Sequence, residues 1–141
     1  METTDDALIQ QAIYATKKVR RIAKKRQDWG LMGYVGAALL TKQGNVYTGV
    51  NLALFCGIGF CAEHSAVAEM IKNGETVIEK MVAVTAEGKI IPPCGRCREL
   101  LYQIDESNLK TEVFVESGSK QRLADLLPHN WQKYFDKPLH R

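Results

Sequence analysis

The chain has 141 residues, enough for one domain with a real core and too few for two. Apolar residues make up 45% and charged residues 25%, an ordinary globular composition, and no apolar run reaches the ~18 residues of a membrane span. A net charge of +3 is too small to argue for a partner by itself. The opening METTDDALIQQ lacks a basic and then apolar secretory pattern, so the expectation is a cytoplasmic protein whose four cysteines are reduced, metal-bound or catalytic.

Residues 4–26 read as one amphipathic helix, because Leu8, Ala12, Ala15, Val19 and Ile22 recur at helical spacing. Thr3 or Thr4 is placed to cap it, with Asp5 and Asp6 in the first turn, where the dipole favours acids. YVGAALLT (34–41) and NVYTGVNL (45–52) are β-rich runs around KQG, which predicts a hairpin. CAEHSAVAEMIKN (61–73) predicts a helix that Gly74 stops, and KMVAVTA (80–86) a buried strand. CGRCRELLYQI (94–104) opens a helix just after Pro92 and Pro93. TEVFVES (111–117) predicts a strand ending at Gly118, and RLADLLPHNWQKYF (122–135) a last helix interrupted near Pro128. No repeat, linker or low-complexity segment breaks residues 1–141, which read as a single domain. The order α-β-β-α-β-α-β-α predicts a mixed sheet with helices on both faces.

The chemistry concentrates at two helix starts. Cys61 opens one helix, and Cys94 and Cys97 lie three apart in the first turn of another, on one face. Helix N-termini carry partial positive charge and unpaired N–H groups, which favour thiolate, the metal-binding form. Three thiolates suit zinc. A closed structural site takes four protein ligands, whereas a catalytic site leaves one position for water. Cys56 and His64 are the residues that could close it, and the C-x-x-C pair could instead be a redox dithiol. Glu63 favours catalysis. It lies between ligand candidates, and zinc lowers the pKa of bound water from 15.7 to about 7, so that a neighbouring carboxylate can take the proton and pass it to a leaving amine. A lone glutamate in a first helical turn is otherwise a partner for the dipole.

CAEH (61–64) with PCGRCRE (93–99) resembles the cytidine deaminase family of the small three-cysteine zinc type, whose zinc chemistry uses a glutamate as acid and base. VGAALLTKQGNVYTGVN (35–51) is similar to the family's first hairpin, and LLPHNW (126–131) to its C-terminal segment. The resemblance implies a three-layer α/β/α sandwich with a mixed, about five-stranded sheet, and a homotetramer. It implies that Cys61, Cys94 and Cys97 bind Zn2+, that Glu63 shuttles protons, and that a backbone N–H near Ala62 meets the pyrimidine carbonyl. Zinc hydroxide would attack the amino-bearing ring carbon of a cytosine-type nucleoside, and ammonia would leave. Asn51 would hold the sugar, and Trp131 would cover a substrate bound in a neighbouring subunit.

Three departures bear on the substrate. NLAL (51–54) keeps the Asn of the family's N-x-E-N but has Ala53 and Leu54 where its Glu and second Asn hold ribose. Gly33 stands where an aromatic is usual, and His64 where an Arg normally offsets the thiolates, leaving Arg98 or Arg96 for that work. These features are similar to blasticidin S deaminases, so cytidine, that antibiotic and another amino-heterocycle all remain open as substrates. Finally, KKVRRIAKKR (17–26) has seven basic residues in ten. It reads first as a solvated helix face and second as a phosphate-binding patch for a nucleic-acid deaminase, with Trp29 alone a weak stacking platform. A non-enzymatic zinc-stabilised domain is the remaining alternative.

Overall fold

The computed structural model describes residues 2–23 and 31–135. The expected helix end at 24–26 and Trp29 lie outside the described residues.

Helix α1 spans Asp5–Ala23. Thr4 Oγ1 accepts the Ala7 N–H at 3.2 Å, so Thr4 rather than Thr3 is the cap, and Asp5 and Asp6 fill the first turn as expected. Its fully buried stripe is Leu8, Ala12 and Thr16, not a line ending at Ile22, which is 59% exposed. Thr16 tolerates burial because its hydroxyl donates to the Ile13 carbonyl at 2.8 Å.

The hairpin forms as predicted, from β1 (Leu31–Thr41) and β2 (Val46–Ala53), paired antiparallel. Helix α2 (Ala62–Lys72), β3 (Ile78–Thr85), β4 (Ile90–Ile91), α3 (Gly95–Ile104), β5 (Glu112–Glu116), β6 (Ser119–Arg122) and α4 (Leu123–Leu126) follow. The sheet has six strands in the order β2-β1-β3-β5-β6, with β4 pairing β3; only β3–β5 is parallel. The two extra strands beyond the four read from sequence, β4 and β6, carry no hydrophobic alternation. One is two residues long and the other is SKQR. The last predicted helix is broken: α4 ends at Leu126, and Trp131–Tyr134 forms a separate 3-10 turn. Pro128 explains the break, since it pushes Leu127 out of the helical region, to φ −139° and ψ 57°.

The sheet separates two cores. Leu8, Ala12, Ala38, Leu40, Val82, Val84 and Phe114 pack beneath α1. Leu39, Ala66, Val67, Met70, Met81, Leu101 and Val113 pack on the other face beneath α2 and α3. Alternate residues of β1 and β3 therefore feed opposite layers, which makes the three-layer α/β/α architecture. Helix α2 sits unusually close to β2. A Cβ on Gly49 would stand 2.4 Å from both the Ala62 carbonyl oxygen and the Ala66 nitrogen, so glycine there sets how deep the start of α2 lies.

Candidate active site

The start of α2 and the start of α3 meet at one end of the sheet. Cys61 is the N-cap of α2 and Cys94 the N-cap of α3, both in extended conformation, and neither thiol caps its own helix. Cys61 Sγ lies 3.7 Å from Cys94 Sγ, which lies 3.5 Å from Cys97 Sγ. Two sulfurs on one tetrahedral zinc at ~2.3 Å stand about 3.8 Å apart, so these spacings fit a common ion. Cys97 is fully buried, whereas Cys94 is exposed at the rim. All four cysteines are free, and Cys56, exposed on the turn after β2, takes no part in these thiol contacts.

Glu63 joins the cluster from the first turn of α2. It is only 4% exposed, and its Oε2 accepts from the Cys97 thiol at 2.9 Å. The CAEH spacing places this carboxylate in the first turn of α2, where it meets the Cys97 thiol. His64 also turns inward: its Nδ1 is 3.7 Å from Cys97 Sγ, and donor atoms of Cys61, His64 and Cys97 all lie within 4.8 Å of one another. The sequence offered His64 both as a residue that could close the zinc site and as the one standing where an arginine is usual.

The electrostatics call for a cation. Burial pushes the Cys97 thiol far up, and the adjacent Glu63 carboxylate adds to the rise. Burial also raises Cys61, with its hydrogen bond to Cys94 adding to the effect. Burial opposes ionisation of Cys94 too, but the Cys97 backbone amide and the thiols of Cys97 and Cys61 bring it below its ordinary value. His64 is lowered by burial and then by the Arg96 charge, which leaves the neutral imidazole a metal would use. Crowded thiols beside a carboxylate hold charge together only around a positive ion, so the donor set fits zinc.

A cavity of about 450 Å³ opens over Cys61, Glu63 and Cys94. Ala62, the first residue of α2, lines it, so an unpaired helix N–H is available there. Asn51 lines it too. Its Oδ1 accepts the Val35 N–H at 2.9 Å, which orients its amide group. Ala53 and Leu54 form part of the wall with Tyr34, Phe60 and Ile91, none of which the motif had singled out. Tyr34 follows Gly33, whose φ of +67° and contact with Val19, 2.5 Å from an added Cβ, leave no room for an aromatic. Of the two arginines, Arg96 faces the cavity. Arg98 instead donates from Nε to the Pro93 carbonyl at 2.9 Å and from a terminal nitrogen to the Leu126 carbonyl at 3.4 Å, and so braces the loop before α3.

Trp131 is not among the residues lining this cavity. It is 42% exposed, donates from Nε1 to Glu99 at 2.7 Å and meets Phe135 edge-on, so it does not fill its own chain's core. In the basic stretch, Lys17 and Lys18 are exposed and Arg20 pairs with Glu87 at 3.3 Å, as on a solvated face.

A family profile described as "Cytidine and deoxycytidylate deaminase zinc-binding region" matches residues 4–113. The chain is 36% identical over 95 residues to the cytidine deaminase of Mycobacterium tuberculosis, covering 67% of this chain and 69% of that one. It is 32% identical over 96 residues to the blasticidin-S deaminase of Bacillus cereus, covering 62% and 65%. The crystal structure of cytidine deaminase from Mycobacterium tuberculosis superposes with a TM-score of 0.72 at 26% identity, covering 91% of this chain and 98% of that one. With its thiol cluster and buried glutamate, the chain belongs to the cytidine and deoxycytidylate deaminase family and is a zinc-dependent hydrolytic deaminase.

Proposed function

We propose that the protein hydrolyses the exocyclic amine of a cytosine-type nucleoside, cytidine or an analogue such as blasticidin S. The observation that carries this is the Glu63 carboxylate, buried 2.9 Å from Cys97 Sγ on the floor of a cavity wide enough for a nucleoside. Cys61, Cys94 and Cys97 are assigned as the protein ligands. Zinc held there supplies Lewis acidity that makes hydroxide available near neutral pH. Glu63 takes up the protons of the attacking water and passes one to the ring nitrogen and one to the departing amine, so one water is consumed, the exocyclic C–N bond breaks, the amino-bearing carbon becomes a carbonyl and ammonia leaves. The backbone N–H of Ala62 is assigned to the pyrimidine carbonyl, and the oriented amide of Asn51 to the sugar.

Ala53 and Leu54 offer no hydrogen bond where ribose hydroxyls would need one. A lost hydrogen bond to a charged group costs roughly 1.5–3 kcal/mol, so this wall favours substituents bulkier or less hydroxylated than ribose. We assign Trp131 to the cavity of a neighbouring copy in a homotetramer. A reduced, cytoplasmic setting suits a centre built of free thiols. The deciding experiment is an ammonia-release screen over cytosine, cytidine, deoxycytidine, blasticidin S and other aminated pyrimidines and purines. Turnover of a cytosine nucleoside is the expected result. Turnover confined to purines would overturn the reading.

A further inference from the structure

Four metal-binding donors crowd this site where three are needed. Cys61, Cys94 and Cys97 make one set. Cys61, His64 and Cys97 make another, with donor atoms all within 4.8 Å of one another. A nitrogen at ~2.0 Å and a sulfur at ~2.3 Å from one tetrahedral zinc stand about 3.5 Å apart, close to the 3.7 Å between His64 Nδ1 and Cys97 Sγ. Burial divides the sets unevenly. The shared Cys97 is fully enclosed, His64 is half-buried, and Cys94 is the exposed residue among the three clustered cysteines. Chemistry does not forbid the exchange, since zinc deaminases work with three cysteines or with one histidine and two cysteines.

We propose that His64 is an alternate zinc ligand, which with Cys61 and Cys97 keeps the metal in place when Cys94 is removed or blocked. Each set uses three protein donors and leaves one position open. Exchanging a thiolate for a neutral imidazole removes one negative charge, so the His64 form makes the metal more electrophilic. The proposal rests on the ligand assignment above, and its test separates the two.

Zinc content after dialysis in reductant is compared for the wild type, C94A, C97A and C94A/H64A, with circular dichroism as a check on folding. C94A is expected to keep about one zinc per chain, whereas C97A and the double variant fall below about a tenth of that. In the cobalt-substituted C94A protein, the thiolate-to-metal charge-transfer band is expected to lose about one third of its intensity, three sulfurs becoming two. A folded C94A that loses its zinc, or a double variant that holds as much as C94A, would overturn the alternate ligand. Zinc retained by C97A would overturn Cys97 as the shared ligand, and with it the ligand assignment above. If C94A does not fold, alkylation of Cys94 in the native chain, located by mass spectrometry, replaces it. Zinc is then expected to stay in the wild-type chain and to leave the H64A chain, and its loss from both would refute the proposal.

Discussion

A glutamate in the first turn of a helix ordinarily answers the dipole from the surface. Glu63 is different because the packing of α2 against β2 has buried it and aimed it at the Cys97 thiol. Glu63→Gln keeps size and shape but cannot carry a proton. The variant is expected to hold zinc and fold while kcat drops about 10²–10⁴-fold, as for the loss of general acid–base catalysis. Single-turnover kinetics beside a metal assay check this, and retention of more than about a tenth of normal kcat would assign the proton transfer elsewhere. At the same scale, Asn51→Ala removes both an oriented amide and the acceptor of the Val35 N–H. It is expected to raise KM about tenfold and to cost about 1 kcal/mol of stability, read from substrate titration and urea denaturation.

At the level of elements, the depth of α2 decides whether the two helix starts meet. Gly49→Ala inserts a methyl 2.4 Å from two backbone atoms of α2, so the helix must lift. A cost of about 1–3 kcal/mol in unfolding free energy and weaker zinc retention against a chelator are expected together, since one displacement causes both. An unchanged melting curve would mean that α2 yields without cost. On the opposite face, Asp5 ties α1 to the sheet through Lys80 at 2.9 Å and Lys120 at 2.8 Å. Hydrogen bonds from Lys120 and Lys80 hold its carboxyl below the ordinary value of 3.8. A depressed folded value means that its contribution is complete above pH ~4 and fades as the pH falls through the folded value. Asp5→Asn is therefore expected to lower Tm slightly at pH 7, and the gap to the wild type is expected to close below about pH 4 and to narrow in high salt.

At the scale of the whole molecule, the cavity is apolar along one wall and open on its outer side, and an exposed aromatic group stands elsewhere on the chain. Trp131, Tyr134 and Phe135 are 42%, 80% and 53% exposed, which leaves aromatic surface near the end of the described residues available to a partner. Assembly that delivers Trp131 to a neighbour's cavity would cover both. Light scattering is expected to give about four times 15.8 kDa, and Trp131→Ala to raise KM several-fold with zinc content unchanged. A monomer turning over substrate at full rate would refute the shared cavity.

The chemistry was legible in the sequence because it rests on local rules. Two helix starts follow from periodicity and, for α3, from the prolines just before it, and the spacings of Cys94 to Cys97 and of Cys61 to Glu63 put donors and acid in first turns whatever the rest of the chain does. The hairpin and the buried strands declared themselves by their own patterns in the same way. Contacts made at long range were not legible. The roll of α1 that buries Thr16 and exposes Ile22 depends on which sheet surface it meets. Strand β6 forms from SKQR only because β5 offers an edge, and Arg98 is occupied by Leu126, 28 residues away. His64 reaches the thiols only because Cys97, 33 residues further on, is folded back against it. Side-chain spacing along one helix sets which residues share a face, but only the packing of α2 and α3 decides which donors surround a single ion.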